Sequence, residues 1–93
     1  MKQEIIKDAI QGLVYGHVEG RKERMTKIMQ IQDKEEKLKQ YKEEMGGQGG
    51  MTGKNGYYYW HDTQGKIYID KDDERFVLTA KQIISLETSN LFN

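Results

Sequence analysis

"YYYWHDTQGKIYIDKDDERFVL", residues 57–78, decides the fold. "YYYWHD" and "IYID" are rich in aromatic and β-branched residues, the side chains that suit a pleated strand. Between them "DTQGK" puts Asp first and Gly fourth, which suits a type I turn closed by a glycine bulge. "KDDE" is a second turn. Pairing through it sets Asp70 opposite Arg75, Ile69 opposite Phe76, Tyr68 opposite Val77 and Ile67 opposite Leu78. Because side chains alternate along a strand, Ile67, Ile69, Phe76 and Leu78 then share one face, and Tyr68 and Val77 the other. A bulged first turn brings Trp60 opposite Tyr68 and adds it to the second face, with Tyr57 and Tyr59 on the first. A two-residue Gln64–Gly65 turn would set Trp60 opposite Ile69 and exchange these assignments. In either register both faces carry large apolar side chains. "IISLE", residues 83–87, is expected as a fourth strand after a short turn at Thr79–Gln82. A helix capped by Thr79 is the alternative, against which Leu86 falls poorly on the apolar face.

Upstream, residues 46–56 hold a run of glycines and are expected to be a flexible connector, with Gly46 as the C-cap of a preceding helix. That helix is read over residues 2–45. Ile5, Ile6, Ala9, Ile10, Leu13 and His17 fall within an arc of about 140° at helical periodicity. Gly16 and Gly20 lie inside the arc and Gly12 at its edge. Glycine costs about 1 kcal/mol against Ala in a helix interior, so either another element approaches closely there or the helix breaks near Gly20. From Arg21 to Met45 strong helix formers dominate. Ile28, Ile31, Leu38 and Met45 trace a seam of about 3.5-residue period, interrupted by Glu35 and Lys42, as a weak coiled-coil signal does. One narrow stripe needs a partner, either the first helix folded back or a second subunit.

The fold class expected is α+β: a long N-terminal helix or helical hairpin (1–45), a glycine-rich hinge (46–56), and a small antiparallel β-meander of three to four strands (57–93). Ninety-three residues make one domain at most. Fifteen basic and fifteen acidic residues cancel, so neither a strong nucleic-acid binder nor an acidic mimic is implied. With no cysteine there is no disulfide, thiol nucleophile or thiolate metal site. No apolar run approaches the ~18 residues of a membrane span, and "MKQEIIKDAI" lacks the apolar core of a signal peptide. A cytoplasmic or virion-internal protein is expected. The Lys-, Ile- and Gln-rich, proline-free composition points to a low-GC bacterium or its phage.

The chemistry-bearing patterns are incomplete. Gly53–Lys54 stand where a P-loop wants Gly-Lys, but Gln48 replaces its first glycine and Asn55 its Ser/Thr. The order is also reversed, since this loop follows a helix and opens a strand. His61–Asp62 point to opposite faces of a strand, and His17 is the only other histidine. "DKDDE" at 70–74 begins like a calcium loop, but Arg75 and Lys81 stand at the glycine and terminal Glu positions. No catalytic residue, cofactor or metal site is assigned, and a non-enzyme is expected. Residues 57–70 resemble the central hairpin of a WW domain. The leading Trp and the prolines of that family are missing here, so the resemblance implies an aromatic hairpin without its groove for proline-rich ligands.

Two functions follow as expectations. The first is protein–protein interaction by a small adaptor, assembly component or inhibitor. It would self-associate through Ile28, Ile31, Leu38 and Met45 on the helix and Tyr58, Trp60, Tyr68 and Val77 on the sheet. The alternative is a nucleic-acid-binding or transcription-modulating protein, with Tyr58, Trp60 and Tyr68 stacking bases and the basic segment 21–27 meeting phosphates. Residues 46–93 carry five basic and six acidic residues, so no electrostatic funnel accompanies the aromatics.

Overall fold

The antiparallel meander forms with the register the turns demand, and it gains a strand from an unexpected place. The computed structural model describes residues 3–16, 18–46 and 50–88. In chain order the elements are α1 (Gln3–Leu13), α2 (Arg21–Met29), α3 (Lys34–Gly46), β1 (Gly50–Lys54), β2 (Tyr57–His61), β3 (Ile67–Lys71), β4 (Glu74–Leu78) and α4 (Ala80–Thr88). The sheet runs β1-β2-β3-β4, each strand antiparallel to the next. The fold is α+β, as expected.

Each hairpin is set by local chemistry. Between β2 and β3, Gly65 takes a left-handed φ of 76°, and its N–H donates to the Asp62 carbonyl at 3.2 Å. The Asp62 carboxylate accepts from the N–H groups of Gln64 and Lys66 at 2.9 and 3.0 Å. This is the bulged turn, and it places Trp60 opposite Tyr68. Between β3 and β4, Asp72 takes a φ of 54°, and the pairs Asp70–Arg75, Ile69–Phe76, Tyr68–Val77 and Ile67–Leu78 form as read from the sequence.

The fourth strand is a correction. It comes from the glycine-rich segment, where β1 pairs with β2, and not from "IISLE". Asn55 and Gly56 have φ values of 55° and 83°, the left-handed pair that a two-residue hairpin turn needs. Asn-Gly followed by an aromatic strand was the legible signal for this hairpin. Residues 50–54 are therefore strand, while the notion of a hinge at 47–49 falls outside the described residues. "IISLE" lies in α4. The Thr79 hydroxyl accepts from the Gln82 N–H at 3.2 Å, and the Gln82 side chain accepts from the Thr79 N–H at 2.8 Å. That reciprocal capping box starts a helix whose Ala80, Ile83 and Ile84 are buried, with Leu86 half-buried beside them.

The N-terminal segment is three helices, not one. α1 buries Ile5, Ala9, Ile10 and Leu13 and packs across β1, β2 and β3. The chain leaves it at Val14 and re-enters a helix after Gly20, whose φ is 79°. A second break at 30–33 was not expected. Asp33 caps α3 by accepting from the Glu35 N–H at 3.0 Å. The break lets α3 fold back on α2, so Met25 and Ile28 join Tyr41 and Met45 in one core. Glu44 ties the hairpin by accepting from Arg24 Nε at 2.6 Å and Arg21 Nε at 3.4 Å.

The close approach expected at the helix glycines occurs at Gly12, where an added Cβ would lie 2.9 Å from Thr52 Cγ2 of β1. At Gly16 the neighbour is the helix itself: a Cβ there would sit 2.9 Å from the Gly12 carbonyl oxygen. α1 thus covers the sheet face that carries Tyr59, His61, Ile67, Ile69 and Leu78, each buried; α2 and α3 reach the sheet through Arg21 at His61 and Tyr41 at Gly65, and α4 packs on α2 and α3. A polar node pins the layers. Buried Arg21 donates to the Leu13 carbonyl at 3.1 Å, the Glu44 carbonyl at 3.2 Å and His61 Nε2 at 3.3 Å. His61 Nδ1 donates to the Asp62 carbonyl at 2.9 Å, so Nε2 is the acceptor of the neutral ring. No described helix is long and apolar enough to cross a membrane.

Candidate protein-interaction surface

The register of three hairpins builds the outer sheet face as two rungs running across all four strands. One rung is Met51, Trp60, Tyr68 and Val77; the next is Gly53, Tyr58, Asp70 and Arg75. Strand spacing makes each rung about 14 Å long. Met51 is 62% exposed and Tyr58 60%, the most exposed large apolar residues described. Trp60, Tyr68 and Val77 are half-buried. The first rung is therefore an uninterrupted apolar strip, and among the described residues no helix packs on it.

The centre of the strip is rigid. Trp60 and Tyr68 stack with centroids 4.0 Å apart and planes 8° from parallel. Their polar ends are held as well. Trp60 Nε1 donates to Asp70 Oδ2 at 2.7 Å, and the Tyr68 hydroxyl donates to Asp62 Oδ2 at 3.1 Å. Arg75 Nε donates to Asp70 Oδ1 at 2.7 Å, with its guanidinium carbon 5.4 Å from both ring centroids. Hydrogen bonds from Arg75, then Trp60, hold the Asp70 carboxyl below the usual carboxylate range. Burial pushes the Asp62 carboxyl up, but donation by the Lys66 and Gln64 backbones and Tyr68 outweighs it and leaves that carboxyl low. Asp70 is thus an anion that fixes an indole and a guanidinium together.

Of the residues expected to interact, Tyr58, Trp60, Tyr68 and Val77 come together on this face. Met51, Asp70 and Arg75 share that face and were not in the expected set; Met51 was legible once Asn55–Gly56 is read as a hairpin turn. The helical set is divided. Ile28 and Met45 lie in the monomer core, with Ile31 and Leu38 partly buried against it, so the seam finds its partner within the chain. The basic segment 21–27 does not join the aromatics: Arg21 is buried under α1 and α3, Arg24 is bonded to Glu44, and α2 packs on α3 and α4. Gly53–Lys54 form the end of β1, and Lys54 Nζ pairs with Asp8 at 3.4 Å. Comparisons with protein-family models, curated proteins and solved structures gave no match.

Proposed function

We propose that this chain is a small non-enzymatic protein-interaction protein, an adaptor, assembly component or inhibitor of the cytoplasm or of a virion. Its working surface is the outer sheet face. The single observation that carries the reading is the apolar rung Met51–Trp60–Tyr68–Val77, left open on the side of the sheet opposite the helices. Contiguous apolar surface of this kind marks interaction sites, and buried-edge aromatics with locked rotamers make good anchors because little side-chain freedom is lost on docking.

The nucleic-acid reading has less support. Trp60 and Tyr68 already cover one ring face of each other, which removes two of the platforms on which bases would stack. The cations nearest the rings, Arg75 and Lys66, sit beside Asp70 and Asp62.

A photo-crosslinking amino acid at position 58, with position 22 on exposed α2 as control, tests the proposal in the native host. A nuclease-resistant protein adduct from position 58 but not 22 is expected. Nuclease-sensitive adducts alone would favour nucleic acid and overturn it.

A further inference from the structure

We infer that the occupant of the outer sheet face is a second copy of this chain, docked about a two-fold axis parallel to the strands between β2 and β3. The inference rests on that face being the interaction surface. An axis of this orientation turns each rung end for end over itself. Met51 then faces the partner's Val77, a long exposed side chain over a short half-buried one. Gly53 faces the partner's Arg75, whose guanidinium is 55% exposed. Tyr58 faces the partner's Asp70, which puts a phenol donor beside a carboxylate. Trp60 faces the partner's Tyr68, so the two stacked pairs meet at the centre.

Met51 and Tyr58 thus meet shorter side chains, Trp60 meets Tyr68 as aromatic against aromatic, and no two like charges are opposed. An axis across the strands would instead lay residues on themselves, Trp60 on the partner's Trp60 or Arg75 on the partner's Arg75. Such isologous pairing is how two-fold dimers are built, and aligned sheets pack about 10 Å apart with interdigitating side chains. Four strands about 4.8 Å apart, each of five residues rising about 3.4 Å, cover a footprint of roughly 330 Å² a side, the size of a weak, transient interface. The dimer is therefore expected to be reversible.

The chain has no cysteine and one tryptophan, which makes the test clean. Light scattering of the full chain from about 1 μM to about 1 mM, which brackets the affinity of so small an interface, should show the mass rising from 10.9 kDa towards twice that value. Trp60 emission should shift to the blue over the same range. Single variants Met51→Cys and Val77→Cys are then treated with a short bis-maleimide, since sheets about 10 Å apart exceed disulfide reach. An equimolar mixture should give crosslinked dimer, and either variant alone very little. A monomer at every concentration, or equal crosslinking by either variant alone, overturns the inference. If a monomer still gives a position-58 adduct with a different protein, the interaction reading stands and the self-pairing fails.

Discussion

The edge of the Tyr41 ring on α3 meets the bare α-carbon of Gly65, and the Tyr41 hydroxyl donates to the Gly65 carbonyl at 2.7 Å. This contact docks the helical hairpin on the β2–β3 turn, and so it fixes which side of the sheet is covered. Gly65 is demanded twice, by a φ of 76° and by the ring that a Cβ would overlap. Gly65→Ala should cost about 2–5 kcal/mol, from left-handed strain of about 1–2 and overpacking of about 1–3. Tyr41→Phe keeps the packing and should cost about 1–2 kcal/mol for the lost buried hydrogen bond. Urea unfolding measures both. A neutral Gly65→Ala would mean that the turn and α3 are not held together in this way.

Alkaline pH should unfold the protein through two phenols. Burial pushes the Tyr41 hydroxyl far above the usual phenol range. Burial, then donation to Glu87 Oε2 at 2.6 Å, does the same to Tyr15. A raised folded pKa gives stability that is full below the unfolded value of about 10 and is lost as pH rises above it. Of the six tyrosines, Tyr15 and Tyr41 should ionise only with cooperative unfolding, read as tyrosinate absorbance beside circular dichroism. Tyrosinate signal from all six while the native spectrum persists would contradict this.

At acid pH the sign reverses. Glu44 is held below the usual carboxylate range by hydrogen bonding from Arg24, opposed by burial and aided by Arg21. Asp70 is held low by Arg75 and Trp60. Their stabilisation is present above about pH 4 and is lost as pH falls through the depressed folded values. Melting temperature should therefore fall steeply below about pH 4, and less steeply in Glu44→Gln. Asp70 is half-buried at the open face of the sheet and its partner Arg75 is exposed, so salt should weaken their share.

The Tyr59 hydroxyl is buried without a hydrogen-bond partner among the described residues, and burial raises its pKa. Tyr59→Phe should be neutral or stabilising by up to about 1 kcal/mol, because it removes an unsatisfied polar group and leaves the ring. Tyr59→Ala should cost about 3–5 kcal/mol through the cavity. A clear loss of stability in the Phe variant, in thermal melts, would reveal a partner for this hydroxyl.

Thr79→Ala should lower stability by about 0.5–2 kcal/mol, as loss of a helix N-cap does. Gln82→Ala should lose the reciprocal bond, and the double variant should cost less than the sum of the two, since each bond depends on the same turn. Denaturant melts of the three variants give the coupling directly. Full additivity would mean that the two bonds do not form one cap.

The sequence by itself determined the β3–β4 hairpin and the faces of its two strands, and it left the β2–β3 register open between a bulged and a two-residue turn. Asp62 and Gly65 set a bulge, the pair Asp72–Asp73 set a turn, and a period of two then put Tyr68 and Val77 opposite the core side chains. These are short-range effects, carried by residues a few positions apart, so they can be read along the chain. Asn55–Gly56 and the Thr79–Gln82 cap were equally local, and the glycine run and the apolar "IISLE" obscured them. What the tertiary structure alone decided was the break at 30–33, the burial of Ile28 and Met45, the node of Arg21, and the uncovered outer face. Each depends on which surface a helix finds at long range. Helix formers such as those from Arg21 to Met45 are content in one long helix or two short ones. The choice falls to the buried contacts that a fold-back supplies, and those exist only once the chain has folded.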